Sequence, residues 1–214
     1  MRPLTDHTPK PLLMVGGKPL IVWHLERLAA AGFRDVVINH AHLGEQIEAT
    51  LGTGSQFGVF ITYSPEPPGA LETAGGIAQA LPLLGDAPFL VINGDIFCDW
   101  DVAQASAIAD SLGANLTHIV LVPNPAQHPE GDFNLTLDRV SANQQPKLTF
   151  SGTGIYQPEL FSAIAAGTRA RLAPLLIDAM NADRVAGSLH TGCWVDVGTP
   201  DRLAALDAEL HGIR

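Results

Sequence analysis

The chain has 214 residues, of which 46% are hydrophobic and 16% are charged. This composition is typical of a globular protein with a sizeable core and excludes a disordered chain. The formal net charge of −10 argues against a general nucleic-acid or anionic-membrane binder, because either would need clustered Lys and Arg.

Cys98 and Cys193 form no CxxC pattern, so neither a disulfide scaffold nor a zinc knuckle is expected. No run approaches 18 apolar residues, and the first residues lack the pattern of a signal peptide. The expected location is the cytoplasm.

Helical and strand patterns alternate along the first half of the chain. Apolar residues at helical spacing predict a helix over 19–31, with Pro19 in its first turn and Gly32 after its end. Shorter segments predict helices over 43–51 and 73–84, and strands over 35–40, 59–64 and 87–95.

The second half is less regular. Its patterns predict strands over 117–124, 133–141, 147–156 and 188–198, and helices over 158–167 and 171–182. A final helix is predicted over 199–212, with Thr199 as N-cap and Pro200 in the first position. The alternation favours an α/β fold with a mainly parallel sheet covered on both faces.

Two carboxylates end apolar strands about one hundred positions apart. Asp95 closes the Asn93-Gly94-Asp95 turn, and Asp196 lies in WVDVGT just before the last helix. Ligands of open α/β sheets bind at the carboxyl ends of the strands, and Mg²⁺ prefers such oxygen ligands. Taken alone, Asp95 is as well explained as the start of a turn, and sequence spacing cannot prove a shared metal site.

The first eleven residues hold two cations, Arg2 and Lys10, among three prolines. Prolines stiffen a loop, while Arg presents a planar fork and Lys a compact charge to phosphate. Without further context these charges are typical of a solvated terminus. The LETAGG stretch over 71–76 is suited either to bring backbone N–H groups to a nucleotide or to form a tight turn.

Taken together in this order, the motifs RPLTxxxPKPLLxVxGKPL, NGD and WVDVGTPDRL resemble the sugar-phosphate nucleotidyltransferases, and LETAGGI resembles the LGTAG stretch of that family. The similarity runs from Arg2 to about Leu206. INHAHLGEQIE, FGVFITYSPE, GDFNL and LTFSGTGIY resemble its muramate branch. The resemblance implies a Rossmann-like fold with a mixed, mostly parallel sheet flanked by helices and a smaller sugar-binding β region, all in a single domain over 1–214.

The resemblance also implies roles for single residues. Lys10 would neutralise the reacting phosphates, Arg2 would bind the triphosphate or pyrophosphate, and Asp95 and Asp196 would hold Mg²⁺. Thr73 and Asn93 would lie near the nucleoside. Three glycines would line the sugar pocket: Gly131, Gly152 and Gly154.

The implied reaction is in-line attack of a sugar 1-phosphate, preferably N-acetylmuramate 1-phosphate, on the α-phosphorus of UTP with release of pyrophosphate. The expected partners are these two small molecules, with no nucleic acid or membrane. Alternatives are guanylyl or uridylyl transfer to mannose, heptose or another sugar 1-phosphate, and a non-catalytic nucleotide-sugar binding paralogue.

Two departures from the family pattern stand out. The strand and glycine-rich loop that precede RPLT in the family are not found before Arg2, so a chain extended by about a dozen residues is expected to be more stable and more active. The family's E-K-P sugar-phosphate motif has no counterpart between Asp138 and Lys147, which leaves the sugar less well defined.

Overall fold

A computed structural model describes residues 1, 3–67, 69 and 71–212. The α-helices are α1 Leu20–Ala30, α2 Gly44–Leu51, α3 Glu72–Leu84, α4 Gln104–Ser111, α5 Leu172–Asn181 and α6 Pro200–Gly212. The strands are β1 Met14–Val15, β2 Lys18–Pro19, β3 Asp35–His40, β4 Phe60–Pro65, β5 Phe89–Ile92, β6 Ile96–Cys98, β7 Thr117–Val122, β8 Phe133–Thr136, β9 Arg139–Ser141, β10 Lys147–Tyr156, β11 Val185–Leu189 and β12 Trp194–Asp196.

The chain forms two compact units, each built from separate stretches of sequence. Unit 1 comprises Met1–Ala70, Asn93–Ala103 and Cys193–Arg214, and unit 2 comprises Leu71–Ile92 and Gln104–Gly192. The single domain expected from the sequence stays a prediction.

Unit 1 contains three two-stranded pairs together with α1, α2 and α6. β3 and β4 run parallel, whereas β1–β2 and β6–β12 are antiparallel. One apolar cluster joins α1 and α2 to β3, and a second gathers Leu20, Phe97, Val197 and Leu206. The second cluster packs the first turn of α1 and the middle of α6 against β6, which directly follows Asp95.

Unit 2 is built on a six-stranded sheet in the order β5-β10-β7-β11-β9-β8. Its core includes the fully buried side chains of Tyr156, Phe161 and Leu176. A register shift between Phe150 and Gly154 marks a bulge in β10, and Gly152 within it has φ +80°. The bulge requires a backbone conformation that favours glycine.

The α/β class and the mixed sheet are confirmed, but strand pairing among the described residues is not mostly parallel. Only β3–β4 and β7–β11 are parallel among the nine pairings. The physical reason is the long strand β10, which lies between β5 and β7 and runs antiparallel to both. Short hairpin connections such as β8–β9 add further antiparallel pairs.

Within the described ranges, no helix has both the length and the apolar character that crossing a membrane requires.

Candidate active site

The N-terminal loop of unit 1 brings Lys10 to Asp95. Lys10 begins a short 3₁₀ helix after Pro9, and its Nζ lies 3.2 Å from Asp95 Oδ2. Both side chains keep about two fifths of their surface exposed, at 40% and 38%. An ion pair this exposed contributes little to stability, so both charges stay available to a ligand. Arg2, the other predicted cation, lies outside the described residues.

The Asn93-Gly94-Asp95 turn leads directly into β6. A Cβ at Gly94 would lie 3.3 Å from Pro11 Cγ, so the small residue lets the turn approach the loop that carries Lys10. The Asp95 carbonyl accepts a hydrogen bond from Val197 N–H at 2.9 Å. Two motifs more than eighty positions apart thereby come together.

Strand pairing places Asp95 and Asp196 in neighbouring positions of unit 1. Asp196 is the register partner of Ile96, the residue after Asp95. Its Oδ2 lies 3.1 Å from Arg202 Nη1, and 38% of the Asp196 side chain is exposed. Asp196 therefore ends β12 and Asp95 lies in the turn just before β6, the strand paired with β12, each beside a cation.

Two side chains of helix α1 form hydrogen bonds with the backbone of β6 and of the residues just after it. The His24 ring Nε2 lies 2.8 Å from the Ile96 carbonyl, and Arg27 donates to the carbonyls of Cys98 and Trp100. Burial lowers the pKa of His24 to about 4; the hydrogen bond to Ile96 opposes this shift and the charge of Arg27 adds to it. At neutral pH the neutral ring donates from Nε2, fixing the strand that follows Asp95.

In unit 2, Thr73 lies in the first turn of α3, but the N–H groups beside it are already used. The N–H groups of Ala74 and Gly75 both donate to the Ala170 carbonyl at 3.1 Å. The LETAGG stretch therefore does not offer these two donors to a nucleotide, and the helix-start interpretation is wrong for them. Glu72 precedes Thr73 at φ +61° and pairs with Arg169 at 2.6 Å.

The three glycines predicted for the sugar pocket also belong to unit 2. Gly131 has φ +63°, and a Cβ there would lie 2.7 Å from Asn124 Oδ1. A Cβ at Gly154 would lie 2.8 Å from the Tyr156 hydroxyl oxygen. With Gly152 in the β10 bulge, each glycine has a local structural reason, and the role in sugar binding stays a prediction.

Comparison with known proteins identifies the family. A family model described as Nucleotidyl transferase matches residues 1–132, more than half of the chain. The chain belongs to this family. It is 58% identical over 212 residues to the N-acetylmuramate alpha-1-phosphate uridylyltransferase of Neisseria meningitidis serogroup B, covering 97% of this chain and 92% of that protein. The sugar-phosphate branch implied by the motifs is thereby confirmed.

More distant nucleotidyl transferases match as well. The mannose-1-phosphate guanylyltransferase of Mycobacterium tuberculosis is 29% identical over 219 residues, 98% of this chain and 61% of that protein. A crystal structure described as a glucose-1-phosphate thymidylyltransferase of Bacillus anthracis has a TM-score of 0.86 at 22% identity, covering 100% of this chain and 91% of that one. The structural match supports the fold.

Three residues near the nucleotidyl transferase motifs were not assigned by sequence reasoning. Arg202 stands beside Asp196, and His24 and Arg27 hold β6. Arg202 lies inside the quoted WVDVGTPDRL motif, so that signal was available. In the sequence, His24 is only one of several residues at helical spacing in the 19–31 segment, and nothing there indicates a contact with the NGD turn.

A metal ion in this nucleotidyl transferase would depend on few protein ligands. Within the described ranges no group of three or more His, Cys, Asp or Glu side chains is placed to hold one. Three histidines already have contacts of their own: His40 with Glu48, His42 with the Thr5 carbonyl and His128 with Asp132. Asp95 and Asp196 stay the candidates because their exposed carboxylates provide the oxygen ligands that Mg²⁺ prefers.

Proposed function

We propose that this protein transfers UMP from UTP to N-acetylmuramate 1-phosphate, giving the UDP-sugar and pyrophosphate. The observation that carries the proposal is the 58% identity to an N-acetylmuramate alpha-1-phosphate uridylyltransferase across nearly the whole of both chains. The structure adds support, because it gathers Lys10, Asp95 and Asp196 in unit 1 from three distant motifs. The reaction would take place in the cytoplasm as part of cell-wall recycling.

The proposed chemistry forms one bond and breaks one. A phosphate oxygen of the sugar 1-phosphate bonds to the α-phosphorus of UTP, and the bond from that phosphorus to the oxygen bridging to the β-phosphorus breaks. The electron pair leaves on pyrophosphate. The protein has no covalent work in this exchange, so positioning and charge neutralisation supply the acceleration.

Lys10 is the cation proposed to neutralise charge on the reacting phosphates. Its Nζ pairs with Asp95 in an exposed ion pair that a phosphate can replace. Arg2, eight positions earlier, is proposed to bind the triphosphate or pyrophosphate. Both assignments rest on the family motif and on the chemistry of the side chains.

Mg²⁺ is the proposed cofactor, held by Asp95 and Asp196. The two residues fit because their carboxylates are partly exposed, and because Asp95 directly precedes the strand that pairs with the strand of Asp196. Such oxygen ligands are those that Mg²⁺ prefers. Held by these two carboxylates, the ion would supply positive charge to the phosphates.

The nucleoside and the sugar are assigned to other residues. Thr73 and Asn93 are proposed to lie near the nucleoside, and Gly131, Gly152 and Gly154 are proposed to line the sugar pocket. The Gly131 loop is suited to a fixed pocket, because Asp132 Oδ2 accepts the N–H of Phe150 at 2.8 Å and Asn124 donates to the carbonyls of Pro129 and Lys147 at 2.9 Å. These bonds tie the loop to β10.

A matrix of substrates tests the proposal. UTP, GTP and dTTP are each incubated with the 1-phosphates of N-acetylmuramate, mannose, heptose and glucose, and pyrophosphate release is followed. We expect UTP with N-acetylmuramate 1-phosphate to give the highest kcat/KM. A preference for GTP with mannose 1-phosphate would favour the second function, which the guanylyltransferase relative suggests.

Two variants show whether turnover comes from the proposed site. Asp95→Asn and Asp196→Asn should each greatly reduce turnover while circular dichroism stays unchanged, and Asp110→Asn on the exposed face of α4 is the matched control. No pyrophosphate with any pair, together with tight binding of a UDP-sugar, would support a non-catalytic binding protein instead.

A further inference from the structure

Arg202 occupies an unusual position next to Asp196. Its Nη1 lies 3.1 Å from Asp196 Oδ2, and only 26% of its side chain is exposed. Its Nε and Nη1 are buried without a hydrogen-bond partner among the described residues, so the contact with Asp196 is one of charge rather than of directed bonding. Two buried guanidinium nitrogens with unused donors need an explanation.

The helix that carries Arg202 does not explain it. Arg202 lies in the first turn of α6, where the N–H of Arg202 itself is capped by the Thr199 hydroxyl at 3.2 Å. This end of a helix carries the positive pole of the helix dipole, which disfavours a cation. Helix stability therefore gives no reason for an arginine here.

Gly198 supplies the space that the guanidinium occupies. A Cβ at Gly198 would lie 2.2 Å from Arg202 Nη2 and 3.2 Å from Asp196 Oδ1. The turn between β12 and α6 thus accommodates the ion pair by having no side chain at this position. Local sequence and geometry both fit a guanidinium beside this carboxylate.

The charges of unit 1 around the proposed metal ligands cancel. Asp95 faces Lys10 at 3.2 Å, and Asp196 faces Arg202 at 3.1 Å. Two negative and two positive charges leave little net attraction for a divalent cation, and each carboxylate already has a counterion.

We propose that Arg202 is the counterion of Asp196 and keeps the divalent-cation affinity of the nucleotide-free protein low, so that metal and nucleotide bind together. This proposal rests on the metal site of the proposed function. The negative triphosphate gives the unused Arg202 donors a competing acceptor and frees Asp196 for the cation. By linkage, nucleotide and cation then raise each other's affinity by the same factor.

Binding of Mn²⁺ to the full chain without nucleotide tests this role independently of turnover. Free Mn²⁺ is followed by electron paramagnetic resonance in the wild type and in Arg202→Met, which keeps an unbranched side chain but removes the charge. We expect the variant to bind Mn²⁺ on the order of tenfold more tightly, because a positive charge near the site is gone. Arg202→Lys, which retains a charge, should stay close to the wild type.

Three further variants separate the role from general effects. Arg184→Met is the matched control, since it removes an ion pair with Glu159 at 2.8 Å in unit 2 and should leave Mn²⁺ affinity unchanged. Gly198→Ala pushes the guanidinium away without removing it and should tighten Mn²⁺ binding in the same direction. Adding Asp196→Asn to Arg202→Met should abolish the gain.

Several results would overturn the proposal. One is that Arg202→Met binds Mn²⁺ no more tightly than the wild type does. Another is that the increase in Mn²⁺ affinity persists when Asp196→Asn is added. Wild-type Mn²⁺ affinity that UTP does not increase would also overturn it. If no nucleotide and sugar 1-phosphate pair released pyrophosphate but Mn²⁺ binding changed as expected, the proposed uridylyl transfer would be rejected. The role assigned to Arg202 would still be supported.

Discussion

For Lys10, stability and activity measurements should distinguish a catalytic role from a structural one. Its ion pair with Asp95 is exposed, so its loss should change stability by less than about 1 kcal/mol. Lys10→Ala should nevertheless lower kcat/KM by on the order of 10²–10³, as removal of an electrostatic stabiliser does. Steady-state pyrophosphate release measures it.

Lys18→Ala is a matched control for Lys10. Lys18 also pairs with a carboxylate, that of Glu26, and lies 3.7 Å from the centre of the Trp23 ring. It belongs to the same family motif, but the resemblance assigns it no role with phosphate. The control should keep kcat/KM within about threefold of the wild type. If Lys10→Ala also changed kcat/KM by no more than about threefold, Lys10 would be a solvated surface charge without a role in the reaction.

His24 should give the protein a characteristic loss of stability in acid. Its folded pKa of about 4 lies below the ordinary value of 6.5 because the ring is buried, so the unfolded chain binds the proton more readily between these values. The contribution of His24 to the free energy of unfolding is therefore complete above pH 6.5 and falls as the pH drops toward 4. From pH 7 to 4.5 the loss is about 2–3 kcal/mol.

Urea unfolding of His24→Gln at the two pH values isolates this effect. Glutamine retains an N–H donor for the Ile96 carbonyl but has no charge to gain, so the acid loss of stability should shrink by about 2–3 kcal/mol relative to the wild type. His7→Gln, at an exposed histidine, should leave the loss unchanged. Equal acid losses in wild type and His24→Gln would contradict the assignment.

At the scale of single elements, the start of α3 depends on a glycine. A Cβ at Gly75 would lie 2.3 Å from the Thr168 carbonyl oxygen and 3.0 Å from Ala170 N, both backbone atoms. Alanine gains about 1 kcal/mol in helix propensity, but this overlap forces the 168–170 segment away and costs more. Gly75→Ala should therefore lower the free energy of unfolding by about 1–3 kcal/mol net.

Chemical denaturation measures the Gly75→Ala effect, and the same variant should raise the KM for UTP if Thr73 lies near the nucleoside. Leu83→Ala on the exposed side of the same helix is the control and should change stability by no more than about 0.5 kcal/mol. A Gly75→Ala protein as stable as the wild type would show that the 168–170 segment does not pack firmly on α3.

Elements with strong local patterns could be predicted from the sequence. The helices expected over 19–31 and 199–212 appear as Leu20–Ala30 and Pro200–Gly212, with Thr199 capping the latter. The helix expected over 158–167 is only a 3₁₀ turn over Pro158–Phe161, and Gly167 at its expected end has a left-handed backbone with φ +78°. The strand expected over 188–198 divides into the end of β11 and β12.

Strand partners could not be predicted, because pairing depends on contacts between residues far apart in sequence. Neither NGD nor WVDVGT indicates that Asp196 is the register partner of Ile96. The direction of the sheet was missed for the same reason, since an apolar run such as β10 has the same pattern in parallel and antiparallel surroundings. The family motifs supplied Lys10, Asp95 and Asp196 together, whereas the Arg202 contact became visible only in three dimensions.

At the scale of the whole molecule, the net charge of −10 repels a substrate that is itself an anion. Local balance resolves the conflict: around the proposed site of unit 1, Lys10 and Arg202 offset Asp95 and Asp196. Salt screens exposed charges that lie more than about 8–10 Å from the site. Nucleotide binding is thus governed by a few side chains and not by the overall charge.

The stability of the whole chain should therefore respond to UTP and Mg²⁺ as a pair. At a free nucleotide concentration one hundred times its Kd, binding stabilises the folded state by about 2.7 kcal/mol. For a chain of this size that corresponds to a rise in Tm of about 5–10 °C. Mg²⁺ alone should shift Tm by less than about 2 °C, because the carboxylates are already paired with Lys10 and Arg202.

Differential scanning fluorimetry with Mg²⁺, with UTP and with both measures this dependence. Asp196→Asn should lose most of the joint shift while keeping its ligand-free Tm, because a neutral amide is a poor ligand for Mg²⁺. CTP with Mg²⁺ serves as the control for a triphosphate with a different base. A full shift with Mg²⁺ alone would mean that the cation binds without the nucleotide, against the charge balance around Asp95 and Asp196.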